Sequence, residues 1–136
     1  MKFESITILE FKTCCAKLVE DQFVKISFYG EEDCSLKDIT CLTDTVLEFM
    51  NGKPFVCLTD FGQYFGTFSL EVKKYLTTHK DLEKFKYQEA FIICKLGMWM
   101  QSNFYFKLNP SMRIKVFKNE MKATEWLLKK REDILL

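Results

Sequence analysis

The stretch from Glu89 to Leu127 holds, in order, Ala90-Phe-Ile-Ile-Cys94, Asn103-Phe-Tyr-Phe-Lys-Leu-Asn-Pro110, Arg113-Ile-Lys-Val-Phe117 and Glu125-Trp-Leu127. It reads as strand, helix, strand, helix. The apolar run at Ala90–Cys94 suits a strand, and Gly97 to Leu108 has the length of a helix that stops at Asn109-Pro110, because the residue before a proline leaves the helical region. Arg113 to Phe117 returns to a short strand. Asn119 then caps a final helix in which Met121, Trp126 and Leu127 offer an apolar side. Strands alternating with helices in this way build an α/β domain with parallel strands and right-handed crossovers.

Upstream, Phe55-Val-Cys-Leu-Thr59 is a continuous apolar run, the pattern of a strand covered on both faces. It follows a helix whose bounds are written in the sequence. Ser35 caps the start, Leu36, Ile39, Leu42, Val46 and Phe49 recur at helical spacing, and Asn51-Gly52 before Pro54 ends it. After the Phe55–Thr59 run, Asp60 to Gly66 reads as a loop with two glycines, and Ser69 as the cap of a helix carrying Leu70, Val72 and Leu76. Thr78 to Gln88 is charged and reads as a solvated face. Near the start, Phe3–Phe11 reads as a strand. Cys14–Val19 and Phe23–Tyr29 read as a hairpin around Glu20-Asp21-Gln22, with Val24, Ile26 and Phe28 alternating with Lys25 and Ser27. The expected order is three strands, then helix and strand in alternation, in a single domain spanning 1–136.

Composition narrows the function classes. With 136 residues, 48% apolar and 14 of them Phe, the chain has ample material for one packed core. Twenty Lys and Arg against nineteen Asp and Glu leave a net charge of +1, which supplies no field for nucleic acid or an anionic membrane. No apolar run approaches the roughly 20 residues of a membrane-spanning helix, and the N-terminus lacks the apolar core of an export signal. The six cysteines, Cys14, Cys15, Cys34, Cys41, Cys57 and Cys94, are therefore expected to be reduced thiols in a cytoplasmic protein.

The order of elements resembles the STAS domain, the fold of bacterial anti-sigma-factor antagonists, and more closely a group of small bacterial SpoIIAA-like proteins. The residues carrying the resemblance are Asn103–Pro110, Lys115-Val-Phe117, Lys122-Ala-Thr-Glu-Trp-Leu127, and Asn51-Gly-Lys-Pro54 before the strand that ends at Asp60. It covers the chain from Ser35 onward and is weaker in the first strands. What it implies is a mixed, mostly parallel sheet with about four helices packed on it. Family antagonists carry a phosphorylated serine in an Asp-Ser-Ser-Gly motif after the central strand. Here that stretch is Phe65-Gly-Thr-Phe-Ser-Leu-Glu71, which lacks the motif and offers Thr67 and Ser69 only as nearby hydroxyls. The resemblance implies the fold and does not carry over an anti-sigma role.

Residues with chemical potential each have a structural explanation beside a functional one. His79, the only histidine, sits at a polar helix end, where a cation suits the dipole. No cysteine pair has Cys-x-x-Cys spacing, so no metal site is expected. Cys57 and Cys94 read as small core residues, and Cys14-Cys15 as the exposed thiols. Gly62-x-x-x-Gly66 follows a strand and precedes a helix, where an anion meets free amides, but it lacks a phosphate-binding lysine or a dinucleotide fingerprint. Asp60, at the end of the buried strand, braces that turn. On the Gly97–Leu108 wheel, Met98, Tyr105 and Leu108 cluster on one side, Trp99 and Phe106 on another, and Met100 with Phe104 on a third. One sheet face cannot cover all three, and Trp, Tyr, Phe and Met are the residues enriched at binding surfaces.

The sequence thus points to a non-enzymatic regulatory or protein-interaction module, with no catalytic residue, metal or cofactor. Its candidate surface is Asp60, Gly62, Gly66, Thr67, Ser69, Trp99 and Phe106, meeting a protein partner or a second copy. The alternative is a carrier of a small apolar molecule or lipid, since 14 Phe could line a cavity.

Overall fold

The computed structural model describes residues 5–94 and 113–135. Six strands, β1 (Ile6–Glu10), β2 (Cys14–Glu20), β3 (Phe23–Gly30), β4 (Phe55–Tyr64), β5 (Lys86–Ile92) and β6 (Ile114–Phe117), lie side by side in chain order. The pairs β1–β2 and β2–β3 are antiparallel, and β3–β4, β4–β5 and β5–β6 are parallel. Among the described residues four helices accompany them: α1 (Leu36–Met50), α2 (Leu70–Thr78), α3 (Lys80–Phe85) and α4 (Glu120–Arg131). This is the mixed, mostly parallel α/β sheet expected. The helix read at Gly97–Leu108 lies outside the described residues.

The central strand shows how the two faces arise. Phe55, Val56, Cys57, Leu58 and Thr59 are all buried. Because side chains alternate along a strand, Phe55, Cys57 and Phe61 join the core under α1, α2 and α3, while Val56 and Leu58 join a second core under α4 with Phe23, Ala90, Ile92, Ala123 and Leu127. A strand apolar at every position needs helices on both sides, and it has them.

The caps fall where the residue types put them. Ser35 Oγ accepts from Asp38 N at 3.1 Å, and α1 closes on Asn51 (φ +49°) and Gly52 (φ +82°). Asn119 Oδ1 accepts from Met121 N at 2.7 Å and Lys122 N at 3.2 Å. The β2–β3 turn places buried Gln22 at φ +58°, and its Nε2 donates to Pro54 O at 3.0 Å and Ile134 O at 2.7 Å. One side chain thereby ties the hairpin to the entry of β4 and to the end of the chain.

Three expectations are corrected. Asp60 to Tyr64 is not loop but the continuation of β4, because Tyr29 and Gly30 of β3 pair with Gln63 and Tyr64 and because Phe61 and Tyr64 bury their rings. Pairing with a neighbour overrides the local turn signal of a glycine. The charged stretch from Thr78 to Gln88 is not simply a solvated face: it holds α3 with buried Leu82, and β5 starts at Lys86. Phe49 and Met121, read as core-facing, are 44% and 66% exposed, since the buried stripes run through Ile39, Leu42, Val46 and Met50 on α1 and through Ala123 and Leu127 on α4.

Candidate functional site

The parallel strands β3 and β4 end side by side, and the loops leaving them clamp each other. This is the sheet edge at which open α/β folds build sites. Asp33, in the β3–α1 loop, accepts through Oδ1 from both Thr67 N (2.8 Å) and Thr67 Oγ1 (3.0 Å). The buried Tyr64 hydroxyl accepts from Cys34 N at 3.0 Å and donates to Thr67 O at 3.1 Å. Burial pushes this phenol up to about 12, so it stays a neutral donor. Phe65 N donates to Gly30 O at 2.8 Å. Ser69 Oγ accepts from Val72 N at 3.1 Å and starts α2.

Within 65–69 the residues alternate outward and inward. Gly66 and Phe68 are buried, while Phe65, Thr67 and Ser69 are exposed. Phe68 anchors the turn in an aromatic cluster, with ring centroids 5.1 Å from Phe28 and 5.7 Å from Phe61. Phe65 is left 61% exposed and Leu70, at the start of α2, 50% exposed. Exposed Glu31, Glu32 and Asp33 lie in the β3–α1 loop to which this turn is bonded, and exposed Glu71 follows Leu70. Lys12 pairs with Glu32 at 2.6 Å from across the loop.

The need for glycine at 66 is steric, since its φ is not positive. A Cβ there would lie 2.5 Å from Glu32 O and 2.6 Å from Tyr64 Oη. Backbone and a buried ring give way only with the loop. Gly66→Ala is therefore expected to cost about 1–3 kcal/mol, as overpacking does. At Gly62 the nearest atom to a Cβ is Asp60 Oδ1 at 3.0 Å, the end of a half-exposed side chain, so Gly62→Ala is expected to be nearly neutral. Thermal melts of the two variants check the contrast, and equal melting temperatures refute it.

The structure gathers Gly66, Thr67 and Ser69 in one turn. Asp60 and Gly62 precede it on β4, where Asp60 Oδ1 accepts from Gly62 N at 2.8 Å, so Asp60 braces its own strand rather than a loop. Trp99 and Phe106 lie outside the described residues. His79 ends α2, as read, and also caps α3, with Nδ1 accepting from Leu82 N at 3.2 Å. Cys14 is buried and Cys15 half-buried, while Cys41 and Cys94 are the exposed thiols.

A second arrangement went unread in the sequence. Between α1, α2, α3 and the sheet lies a cavity of about 60 Å³, walled by apolar side chains such as Ile26, Leu42, Val46 and Phe55. Polar groups interrupt that lining. Glu89 Oε2 accepts from Thr59 Oγ1 at 2.6 Å, and Glu89 Oε1 lies 2.7 Å from Lys86 Nζ, an ion pair whose angle falls outside hydrogen-bond geometry. The Lys86 and Glu89 side chains are only 10% and 7% exposed. Cys57 Sγ sits 3.5 Å from Thr59 Oγ1, and burial, with the Glu89 charge, pushes the thiol up to about 12, which makes it unreactive. The one available signal was that Glu89 directly precedes the apolar run Ala90–Cys94. Among the described residues no group of three or more His, Cys, Asp or Glu side chains could hold a metal ion, and no helix is long and apolar enough to cross a membrane.

Sheet order and helix placement define a SpoIIAA-like α/β fold. A crystal structure of an uncharacterised protein from the DUF3478 family with a SpoIIAA-like fold, from Shewanella loihica PV-4, superposes with a TM-score of 0.64 at 18% identity, covering 88% of this chain and 97% of that one. At that identity the likeness concerns the fold. The chain belongs to the DUF7793 family, a domain of unknown function, whose profile matches residues 18–131. A search of curated proteins finds no significant match.

Proposed function

We propose that this chain is a non-enzymatic interaction module of STAS type that docks a partner protein through the β4–α2 turn. The observation that carries the proposal is the exposure of Phe65 and Leu70 on a turn whose backbone is pinned by Asp33, Tyr64 and Ser69. Apolar side chains held rigidly in water lose little conformational freedom on binding, which is what a docking anchor requires. The acidic rim of Glu31, Glu32 and Glu71 favours a partner with basic groups around an apolar recess over a second copy bearing the same acids. Trp99 and Phe106 enter the proposal as candidates for a further part of the surface.

Affinity purification from the source lysate, quantified for wild type and variants, tests it. Phe65→Ser/Leu70→Ser is expected to weaken recovery of a specific partner at least about tenfold, the effect of losing one well-packed anchor. Glu31→Lys/Glu32→Lys is expected to weaken it in a salt-dependent way. Ile6→Ser, which alters an exposed apolar residue on the edge strand β1, is expected to leave it unchanged. Loss through Ile6 with retention in the turn variants overturns the surface.

A second reading, a carrier of a small apolar molecule, is favoured by the largely apolar cavity between the helices and the sheet. At about 60 Å³ the void formed by the described residues is below the roughly 150 Å³ that accommodates benzene in an engineered core. It suits a few waters or a very small molecule better than an acyl chain. A native mass spectrum at the bare 16.2 kDa of the chain supports the interaction module, and an added mass supports the carrier.

A further inference from the structure

Two thiols meet beneath the β3–α1 loop. Cys14 opens β2 and Cys34 lies just before the Ser35 cap of α1, so the pair joins segments 20 positions apart (34 minus 14). The Thr13 hydroxyl lies between the two sulfurs, 3.5 Å from Cys34 Sγ, to which it donates, and 4.0 Å from Cys14 Sγ. Both thiols are buried, at 0% and 3% exposure, and both are reduced. Packing of two small apolar residues accounts for their burial. It does not account for a hydroxyl aimed at one of the two sulfurs.

We propose that Cys14 and Cys34 form a reversible redox pair that closes to a disulfide in the presence of a hydroperoxide. The surroundings divide the roles. The Thr13 hydroxyl sits closer to Cys34 Sγ than to Cys14 Sγ, and hydrogen bonding to the Cys34 sulfur favours its thiolate against the opposing effect of burial. Cys34 is the nucleophile. Its thiolate attacks one peroxide oxygen, so that an S–O bond forms, the O–O bond breaks, and the departing hydroxide takes the proton lost from Cys34 to become water. Cys14 then attacks the Cys34 sulfur. The S–S bond forms, the S–O bond breaks, and the second hydroxide leaves with the Cys14 proton as water. Two thiols are oxidised and one peroxide is reduced to two waters.

The residues around Cys34 make the step accessible. Glu31, Glu32, Asp33 and Ser35, which flank Cys34, are exposed, so the Cys34 sulfur lies just beneath the surface, and closure of the pair requires the two sulfurs to approach to about 2.05 Å. Cys34 N and Asp33 are also the groups that hold Tyr64 and Thr67. Closing the pair therefore restrains the loop that holds the β4–α2 turn. Any effect on partner docking rests on the function proposed above, whereas the crosslink itself does not.

The test treats the full chain with one equivalent of hydrogen peroxide, then denatures it, alkylates with iodoacetamide and maps the peptides. Alkylatable thiols are expected to fall from six to four, with a linked Cys14–Cys34 peptide, and dithiothreitol to restore all six. A Cys41→Ser/Cys94→Ser protein, which removes only the exposed thiols and leaves the core intact, is expected to form the same link in full. Cys34→Ser is expected to leave all of its remaining thiols alkylatable. The pair is overturned if Cys14 and Cys34 stay alkylatable, or if the link runs through Cys15, Cys41, Cys57 or Cys94. In the oxidised protein, exchange of the Thr67 amide is expected to slow, and an unchanged rate overturns the coupling to the turn.

Discussion

Lys86→Met is expected to lower the unfolding free energy by about 3–5 kcal/mol, because it leaves the Glu89 carboxylate buried without its cation. The magnitude follows from where the pair sits. Lys86 and Glu89 approach at 2.7 Å with side chains 10% and 7% exposed, beside an apolar cavity. An exposed pair of the same sequence spacing contributes no more than about 1 kcal/mol. With Lys86 gone, Thr59 Oγ1 remains as the donor to Glu89, and one neutral hydroxyl does not replace an ammonium. Lys86→Met/Glu89→Gln is expected to recover at least half of the loss, since the amide keeps an oxygen for Thr59 and carries no charge. Urea unfolding of the wild type, both single variants and the double variant measures the coupling. A cost below about 1 kcal/mol for Lys86→Met refutes the buried-pair assignment.

Phe61→Ala is expected to cost about 3–5 kcal/mol, the range for removing a buried aromatic ring. Phe61 is 5% exposed. It stacks on Phe28 with centroids 5.3 Å apart and planes 9° apart, and it meets Phe68 and Phe91 edge-on at 5.7 and 5.3 Å. Its removal cuts several of the aromatic contacts within that cluster and enlarges the cavity it lines. Phe61→Leu, which refills most of the space, is expected to cost less than half as much. Because Phe68 rests on Phe61, the alanine variant is also expected to speed hydrogen exchange at Thr67 and Ser69. Denaturant unfolding and exchange mapping check both parts. A loss under about 1.5 kcal/mol for Phe61→Ala shows that the surrounding rings close the gap, contrary to the rigidity inferred for the turn.

These two residues mark the boundary of what a linear reading detects. The helix limits at Ser35, Asn51-Gly52, Ser69 and Asn119 were legible because capping involves neighbours within a few positions. The doubly covered strand at Phe55–Thr59 and the half-buried alternation at Val24–Phe28 were legible because side-chain direction repeats every second residue. The turn at Gly66, Thr67 and Ser69 was found as a candidate, but its partner Asp33 lies 34 positions away and no local pattern points to it. The length of β4 was missed for the same reason, since Asp60 to Tyr64 become strand through pairing with β3.

Charge and thiol chemistry were the least legible. Thr78 to Gln88 reads as a charged, solvated stretch, yet β5 begins inside it at Lys86 and carries Lys86 and Glu89 into the core while Glu83 and Lys84 stay in water. Cys14 and Cys15 look alike in sequence, and strand alternation buries the first in the core that also holds Cys34 and leaves the second half-buried. By itself the sequence determined the class of fold, the ends of its helices and the strand that both layers must cover, because those depend on short-range periodicity and backbone preference. The tertiary structure alone decided which carboxylate is buried, which thiols meet and which apolar side chains stay in water, because each depends on groups distant in sequence that packing brings within a few ångströms.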